Sequence, residues 1–464
     1  MRTLSSAAHP GWPRLAPSTL RLLLAIFALL EAAGSARAGG MFLPARGARP
    51  LGRAGSFVAG ADDLEAVVYN PAGLAGTGHL SLLLDVGLVF QNVHYERVDS
   101  GGNTRPAVDD NNGIIPIPTM GISWRPDALG KRLTFAFAVF VPYTGLPQYD
   151  PKGPQRYSLV SLNGTALAVT ELALSVRVTP EFYLGAGFQN MIVSLSDKTV
   201  LAGCTQLNCA PEDPRFDAAT QSKTTSFFTP SANFGALYVS RYLRLGASVQ
   251  LPFYVRSSGT VATRLPSDPQ FDGAQVVGNQ IDVNLDLPLV VRAGAELRPT
   301  KHFRVEVGYD YERWSQQDKL EFIPRGVSID HVAGIGKYEL RAMHLDRGMQ
   351  DTHSLHVGGE YDVLPKRLTV RAGYLYESSA VPDAYLSVIT PDGDKHLLAI
   401  GGAVRLGSWR LDVAYGHFFQ ADRYIRNSKS LQLNPIEPSI VVAVGNGLYA
   451  VSSDVLSLGF EKRF

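Results

Sequence analysis

The strongest constraint on the fold is a series of strand-like segments that begins at Leu80 and continues to Phe464. In the clearest of them, residues 303–312, aromatic and aliphatic side chains alternate with charged side chains and glycine. The same period of two recurs in residues 368–376 and 411–415, and it predicts strands with one apolar and one polar face. Soluble antiparallel sheets also alternate, so this pattern alone does not place the chain in a membrane.

The connections between the segments are more informative. Short polar turns alternate strictly with longer loops, which is typical of membrane barrels with short periplasmic turns and long outer loops. This alternation predicts an all-β fold, a transmembrane antiparallel up-and-down β-barrel of about fourteen strands. The predicted long loops are residues 97–112, 142–157, 196–229, 257–279, 314–351, 379–394 and 419–452.

Composition excludes one class of partner and favours another. The chain has 43 basic and 42 acidic residues, and this balance argues against a nucleic-acid partner, which requires a concentrated basic face. Charged residues make up 18%, fewer than in a typical soluble domain, while glycine and tyrosine are plentiful. This composition suits a curved sheet with aromatic girdles in a membrane. A soluble β-sandwich protein can have the same composition.

The N-terminus has the features of an export signal. Three arginines precede the apolar run Leu22–Leu30, and Ala36-Arg37-Ala38 resembles a cleavage site. A mitochondrial transit peptide is the alternative, because the segment is rich in arginine, but the unbroken apolar run favours secretion. That run is too short to span a bilayer as a helix. We therefore expect residues 1–38 to be a signal peptide and the protein to lie in the outer membrane of a Gram-negative bacterium.

Residues 39–79 follow neither the strand nor the helix period, and residues 80–464 form the predicted barrel. A barrel of about fourteen strands is too wide to be filled by its own side chains, so it must be open or plugged. We interpret residues 39–79 as an N-terminal hatch that lies in the lumen. For Asn70-Pro71-Ala72-Gly73, the alternative to a hatch element is an ordinary turn that leads into the first strand.

Charged side chains occupy the polar faces of the predicted strands and should point into the lumen. One interpretation is a self-neutralising network that fills the barrel and holds the hatch. The other is that one or two arginines bind a substrate carboxylate, and Arg304 and Arg371 are our candidates for this role. The predicted lumen residues are Arg292, Glu296, Arg304, Glu306, Asp310, Glu360, Arg371, Arg410 and Asp412.

Catalytic, metal and cofactor motifs are absent from the sequence, so we predict no catalytic residue, no metal site and no cofactor. Cys204 and Cys209 are the only cysteines, and their spacing in an exported chain favours a disulfide over an incomplete metal site. His344, His353 and His356 are close in sequence, and we expect the first two to lie in a loop. We interpret them as solvated histidines, with a metal site as the alternative.

Several segments resemble the FadL/TodX family of outer-membrane transporters. Leu51-Gly-Arg-Ala-Gly-Ser56, Ala61-Asp-Asp63 and Tyr69-Asn-Pro-Ala-Gly73 are similar to its hatch. Asn284-Leu-Asp-Leu-Pro288 resembles the family's approach to its central strand. Two further matches are Tyr311-Glu-Arg-Trp-Ser-Gln316, similar to a strand-ending Trp-Ser motif, and Arg371–Pro382, where Ser379-Ala380 replaces the family's first Ser-Pro step.

The resemblance implies a fourteen-stranded barrel with a hatch that takes up long-chain fatty acids or aromatic hydrocarbons. In such a protein, ligand enters from the outer loops, and hatch movement opens a lateral path through a kinked strand. Asn70, Pro71 and Ala72 would then hold the hatch segment nearest the opening, with Gly73 completing the motif. We expect a monomer surrounded by outer-membrane lipid. The alternatives are an outer-membrane enzyme, such as an esterase, and a non-transporting adhesin or receptor.

Overall fold

The computed structural model describes residues 43–143, 146–205, 209–210 and 212–464. Within this part of the chain, fourteen antiparallel strands form a closed barrel, so the predicted fold class and strand number are confirmed. The strands are β1 (Leu80–Arg97), β2 (Ile115–Trp124), β3 (Leu133–Phe140), β4 (Ala166–Arg177), β5 (Phe182–Ala202), β6 (Asp217–Val239), β7 (Leu243–Gln250 and Phe253–Arg264), β8 (Gln280–Leu287 and Val290–Leu297), β9 (Phe303–Glu312), β10 (Thr352–Leu364), β11 (Leu368–Glu377), β12 (Lys395–Leu406), β13 (Trp409–Gln420) and β14 (Gly447–Arg463).

Each strand pairs with its neighbours in sequence, and the first strand pairs with the last. In that closing ladder, Ser81 lies opposite Arg463 and Arg97 lies opposite Gly447. Closure leaves no open sheet edge, and lipid requires this because it offers no hydrogen bonds to an unpaired backbone. The outer loops contain the short strands Val108–Asp109, Gln275–Val277, Lys319–Arg325, Ser328–Val332, Gly336–Glu339, Met343–Asp346 and Arg423–Ile425.

The alternation of side chains along the strands gives the barrel an apolar outside and a charged inside. On β13, Leu411, Val413 and Tyr415 are exposed, whereas Arg410 and Asp412 are buried. The buried members point into the lumen because the exposed members must face lipid. Eight of the nine predicted lumen residues are buried, and Arg304 is half-buried, with 21% of its side chain exposed.

Aromatic side chains mark the outer edge of the apolar band. The Tyr309 hydroxyl lies 2.6 Å from Nδ1 of His353, and the Tyr374 hydroxyl lies 2.7 Å from Nδ1 of His396. Amphipathic rings of this kind collect at the membrane interface. His353 therefore belongs to the outward face of β10, and our placement of this residue in a loop is wrong.

Two of the predicted long loops are shorter than expected. The segment 196–229 contains the ends of β5 and β6, which pair out to Ala202 and Asp217 and continue beyond the apolar band. Likewise, β7 extends to Arg264 inside the segment predicted as the loop 257–279. These extensions are rich in serine, threonine and charged residues, which resemble a loop by composition although their backbones are paired as a hairpin.

Residues 43–79, which we call the hatch segment, lie almost entirely buried. Their regular elements are the helices α1 (Ala48–Leu51) and α2 (Ala66–Tyr69) and the 3₁₀ turn Pro71–Gly76. Among the described residues, no helix is long and apolar enough to cross a membrane. Further 3₁₀ turns are Asp127–Leu129, Pro154–Tyr157, Pro214–Phe216, Pro269–Phe271, Trp314–Gln316 and Asp383–Tyr385.

Two remaining sequence predictions concern covalent processing and linkage. The predicted signal peptide, residues 1–38, lies outside the described residues, as do residues 39–42 of the predicted hatch. The domain boundaries therefore remain predictions. A disulfide joins Cys204 and Cys209 in the connection between β5 and β6.

Candidate functional site: the hatch, the wall and the outer cavity

Arg53 of the hatch segment is the most completely buried cation of the lumen. Its guanidinium donates to Glu296, Glu306 and Glu360 of the barrel wall at 2.9, 3.0 and 3.0 Å. Glu306 also accepts hydrogen bonds at 2.8 Å from three successive backbone amides, those of residues 58–60. One carboxylate thus holds a side chain and a backbone turn of the hatch segment, which ties both to the wall.

A second set of contacts surrounds the adjacent aspartates of the hatch segment. Arg49 bridges Asp62 and Asp63 at 2.6 and 2.7 Å and also donates to Glu360 of β10 at 3.0 Å. Asp63 accepts a bond of 2.7 Å from Arg410 of the wall. We call these residues the ionic cluster; its members are Arg49, Arg53, Asp62, Asp63, Arg244, Glu296, Arg298, Arg304, Glu306, Glu360, Arg371, Arg410 and Asp412.

Asp62 is held ionised by the wall. Burial by itself would raise its pKa, but Arg49, Arg304, Arg244 and Arg298 hold the pKa of this carboxyl well below its usual range. Three of these arginines come from the wall, at 3.0, 3.1 and 3.5 Å from Asp62. The hatch segment therefore carries a fixed negative charge that faces a positively charged arc of the barrel.

Arg304 and Arg371, our two candidates for substrate contact, both lie in the ionic cluster. Arg304 donates to Asp62 at 3.0 Å and to Glu360 at 2.7 Å. Arg371 donates to Asp412 at 2.6 Å and lies 3.6 Å from Glu360. Both guanidinium groups already have protein carboxylates as partners, and their contact with a substrate stays a prediction.

The Asn70-Pro71-Ala72-Gly73 segment lies against the inner face of strands β4 to β6. The Asn70 side chain caps the 3₁₀ turn by accepting from the Ala72 amide at 3.2 Å. Its amide nitrogen donates to the carbonyls of Val58 and of Ala236 on β6, both at 3.0 Å. Asn70 therefore links two turns of the hatch segment to one strand of the wall.

Glycines in the wall allow this segment to approach the strands closely. A methyl group at Gly235 of β6 would overlap the Asn70 side chain, and one at Gly185 of β5 would overlap the backbone of Pro71 and Ala72. Ser175 of β4 adds a 2.9 Å hydrogen bond to the Ala72 carbonyl. The hatch turn thus sits directly on strand backbone, without a layer of side chains between them.

The wall next to this contact has an interruption between β6 and β7. One ladder between the two strands starts at the Asn233–Gln250 pair and runs towards the short turn that joins them. The other starts at the Thr225–Ser258 pair and runs towards the outer loops. Between these ladders, residues 226–232 of β6 and residues 251–257 of β7 make no ladder pairs with each other, and Pro230 and Pro252 lack the amide hydrogen that pairing needs. A single backbone bond, from Leu251 to Ala232 at 2.9 Å, crosses this interval in the described structure.

Both surfaces of the interruption are apolar. On the lumen side, Phe253 and Val255 are buried with Val67 and Val68 of the hatch segment in one hydrophobic cluster. On the lipid side, Phe227 and Phe228 protrude with 75% and 69% exposure. The seam between β6 and β7 above Asn70 therefore has few backbone hydrogen bonds across it and is lined by apolar side chains on both sides.

An apolar cavity of about 320 Å³ lies under the outer loops. Its lining includes Leu167 of β4, Leu195 of β5, Leu285 of β8, and Leu159 and Leu345 of the loops. A volume in this range and a predominantly apolar lining are typical of sites for small hydrophobic ligands.

Arg347 is the cation among the described residues that line this cavity, and Asp197 is the acidic residue of the same lining. Arg347 is buried and donates to the hydroxyl of Thr390, and it forms no ion pair with any described residue. Burial lowers the pKa of this guanidinium to about 10. This arginine remains cationic in an apolar cavity and has one hydroxyl as its side-chain partner. Its planar guanidinium can therefore bind a carboxylate by donating two parallel hydrogen bonds to it.

Sequence reasoning missed Arg347, Glu65 and Arg46. Arg347 follows a short loop strand and looks like the nearby exposed Arg341 in sequence. Both carboxylate oxygens of Glu65 and two nitrogens of Arg46, Nε and Nη1, are buried without a hydrogen-bond partner in the described structure. No local pattern distinguishes these side chains, because their isolation depends on which strands and loops surround them.

The histidines also differ from expectation. His344 is exposed on a loop strand, but His356 is buried in the lumen, with Nδ1 at 2.8 Å from the Ala54 carbonyl and Nε2 at 3.5 Å from Asp310. Our interpretation of His356 as solvated is therefore wrong, because this position of β10 faces the hatch segment. No group of three potential metal ligands occurs among the described residues.

Residues 29–464 match the family described as outer membrane protein transport protein (OMPP1/FadL/TodX). The chain belongs to this family. It is accordingly an outer-membrane protein of a family of channels for hydrophobic compounds. An outer membrane protein of Neisseria meningitidis serogroup B is 23% identical over 147 residues, a match that spans 31% of this chain and 32% of that relative.

Solved structures with the same fold support the architecture. A FadL homologue from Pseudomonas aeruginosa superposes with a TM-score of 0.74 at 19% identity, covering 92% of this chain and all of that chain. The toluene transporter TbuX from Ralstonia pickettii gives a TM-score of 0.62 at 16% identity, covering 91% and 99%. TodX from P. putida, also a toluene transporter, gives 0.61 at 16% identity with the same coverage. At these identities the likeness concerns the fold.

Proposed function

We propose that this family member takes up long-chain fatty acids across the outer membrane, by capture in the outer cavity and release through the wall between β6 and β7. The observation that carries the choice of substrate is Arg347. It supplies a desolvated cation at a site lined mainly by apolar side chains, and an aromatic hydrocarbon has no group to use it. A fatty acid has both the apolar chain that fills such a cavity and the carboxylate that satisfies the guanidinium.

The proposed route leads from the cavity to the hatch segment. Leu167 and Leu285 of the cavity belong to the same hydrophobic cluster as Val67 and Val68 beside the wall interruption. A hydrocarbon chain on this route exchanges one apolar surface for another, so no large desolvation barrier opposes its movement. The ionic cluster fills the lumen below, which favours a lateral exit over an axial one.

The proposed gate is the Asn70-Pro71-Ala72-Gly73 segment. Its bonds to Ala236 and Ser175 hold the hatch segment against β4 and β6, close to where the β6–β7 ladder stops. Displacement of this turn would uncover the apolar inner surface of the interruption. Few hydrogen bonds need to break between β6 and β7, because these two strands are not paired with each other over residues 226–232.

The test compares ligands that differ only at the head group. The dissociation constants of palmitate, palmityl alcohol and toluene are measured for wild type and for Arg347→Gln by tryptophan fluorescence in detergent. We expect Arg347→Gln to weaken palmitate binding by about 10–100-fold, the loss of one charge-assisted hydrogen-bonded pair, and to leave the alcohol within twofold. Arg341→Gln, an exposed arginine of the same loop, is the matched control.

Each alternative function gives a different result. An aromatic hydrocarbon channel would bind toluene more tightly than palmitate and would be unaffected by Arg347→Gln. A non-transporting adhesin or receptor would bind none of the three ligands in the cavity. Uptake of labelled palmitate by cells that carry equal surface amounts of each variant then connects binding to transport.

A further inference from the structure

A group of cations lies on the outer wall of the barrel, beyond the apolar band. On β5, Lys198 follows the last exposed apolar residue, Ile192, by six positions; on β6, Lys223 precedes Phe227 by four. On β7, Arg264 lies ten positions beyond Tyr254. With about 3.3 Å per residue and a tilt near 40°, these cations stand roughly 10–25 Å above the apolar band. This is the level of lipid head groups and the sugars attached to them.

The cations line a recessed surface rather than a flat one. Two neighbouring cavities of about 730 and 910 Å³ share Lys198, Val160 and Gln221 in their linings. The first also includes Lys223, and the second includes Lys152, Arg156 and Arg264. The loop after β3 forms the far side, since the backbone of Ser161 pairs with that of Lys198. We call this surface the basic groove.

Most cations of the basic groove have no carboxylate at ion-pair distance among the described residues. Arg156 donates to Asp217 at 2.8 Å, and this pair is the one ion pair among the described residues that line it. Lys152, Lys198, Lys223 and Arg264 have no ion-pair partner among the described residues. In the lumen, by contrast, arginines of the ionic cluster have carboxylates within 2.6–3.0 Å. Four cations without counter-charges form a site that fits a multiply charged anion.

We propose that the basic groove binds the phosphorylated sugar head group of a lipid A-type glycolipid from the outer leaflet. A phosphorylated disaccharide matches the several cations of a groove of this size, and cationic residues at the membrane surface attract anionic head groups. The wall below the groove supplies the second half of the site, because Phe227 and Phe228 protrude into the region of the acyl chains. The glycolipid would then cover the lipid side of the β6–β7 interruption.

The experiment measures lipid binding by native mass spectrometry on the full-length barrel released from detergent micelles. The probes are bis-phosphorylated lipid A, the same lipid after removal of both phosphates, and phosphatidylglycerol. The test variant is Lys198→Gln with Lys223→Gln and Arg264→Gln. The matched control replaces three exposed cations of the short turns, Lys131→Gln, Arg241→Gln and Lys301→Gln.

We expect wild type and the control to bind bis-phosphorylated lipid A with affinities within twofold of each other, and the test variant to bind it at least tenfold more weakly. Binding should weaken with added salt, because the contacts are charge pairs at the surface. The proposal is overturned if the test variant binds like wild type, if the dephosphorylated lipid binds equally well, or if phosphatidylglycerol binds equally well. A far-UV circular dichroism spectrum and a thermal unfolding midpoint equal to those of wild type show that the barrel of the test variant is folded.

Discussion

The ionic cluster and the outer cavity hold buried arginines in opposite ways. In the cluster, Arg53 has three carboxylates within 3.0 Å. In the cavity, Arg347 has the hydroxyl of Thr390 and no ion-pair partner among the described residues. Burying a charge without a counter-charge costs folding free energy. Such a side chain is therefore retained where a ligand supplies the counter-charge or where function requires the charge. The contrast separates a lower lumen, where described carboxylates balance the arginines, from an outer cavity whose arginine has no protein counter-charge at ion-pair distance among the described residues.

Removal of Arg53 should have the largest effect on the stability of the hatch segment in the lumen. Arg53→Met leaves Glu296, Glu306 and Glu360 near one another with one cation fewer, and breaking a buried ion pair on one side costs about 3–5 kcal/mol. We expect the hatch segment to detach while the barrel ladder survives. The measurements are single-channel conductance in planar bilayers, which should rise, and protease protection of residues 43–79, which should fall.

Arg341→Met serves as the control for this experiment, because Arg341 is an exposed arginine of an outer loop. It should leave both conductance and protection unchanged. A closed channel with a protected hatch segment in Arg53→Met would contradict the role of the ionic cluster as the anchor of the hatch.

Asn70→Ala should have a smaller and more local effect. It removes the cap on the Ala72 amide and the bonds to Val58 and Ala236, and loss of such a cap costs about 1–2 kcal/mol. We expect hydrogen exchange of residues 70–76 to accelerate about 5–30-fold while residues near Arg53 stay protected. Asn92→Ala, an exposed asparagine of β1, should change neither. Uniform acceleration across the hatch segment would mean that it opens as one unit.

The sequence predicts the barrel well because lipid imposes one rule on every strand. Any residue that faces lipid must be apolar, so the period of two in residues 411–415 identifies the lumen face of β13 without further information. The same rule fails above the membrane, where the polar ends of β5 and β6 were predicted as a loop. The lumen charges were predicted as a set, but the partner of each one, such as Glu360 for both Arg49 and Arg53, depends on how the hatch segment folds.

Glu65 differs from the carboxylates of the ionic cluster, because both of its carboxylate oxygens are buried without a hydrogen-bond partner in the described structure. The pH dependence of the stability of the hatch segment should show this difference. Burial, Asp85 and Asp63 raise the pKa of Glu65 well above its usual range, against the opposing effect of Arg46 and Arg410. The folded hatch therefore keeps a proton that the unfolded chain loses above about pH 4.5. The stability of the hatch segment falls as the pH rises from about 4.5 towards the raised pKa of Glu65 in the folded state. Asp62, whose pKa is lowered, contributes stability that is lost only below about pH 3.8.

We therefore expect Glu65→Gln to remove a slope of at most about 1.4 kcal/mol per pH unit from hatch stability above pH 4.5. The measurement is the protease protection of residues 43–79 at a series of pH values. Asp127→Asn, at an exposed turn, is the control and should leave the slope unchanged. A slope that persists in Glu65→Gln would assign the proton to another group of the lumen.

Substitution of Arg46 tests whether a carboxylate that leaves the outer cavity passes along the hatch segment. Of these substitutions, it should have the smallest effect on stability. Its guanidinium lies 4.3 Å from the centre of the Phe140 ring, and burial lowers its pKa to about 10. It belongs to the hatch segment, and like Arg347 it forms no ion pair with a described residue; its Nε and Nη1 are also buried without hydrogen bonds in the described structure. A carboxylate that leaves the outer cavity would find in Arg46 the next cation that no protein carboxylate holds at ion-pair distance.

Arg46→Gln should therefore lower palmitate uptake about threefold to tenfold, since it removes one charge-assisted contact on the route, while palmitate affinity at the outer cavity stays within twofold. Stability should change by less than about 1 kcal/mol, because no ion pair breaks and the ring contact is partly kept. If uptake is unchanged while Arg347→Gln lowers it, the carboxylate leaves the lumen above the hatch segment, and the exit lies nearer to the outer end of the β6–β7 interruption. If affinity at the cavity falls as much as uptake, Arg46 and Arg347 bind the same carboxylate, and the upper lumen is one site instead of two.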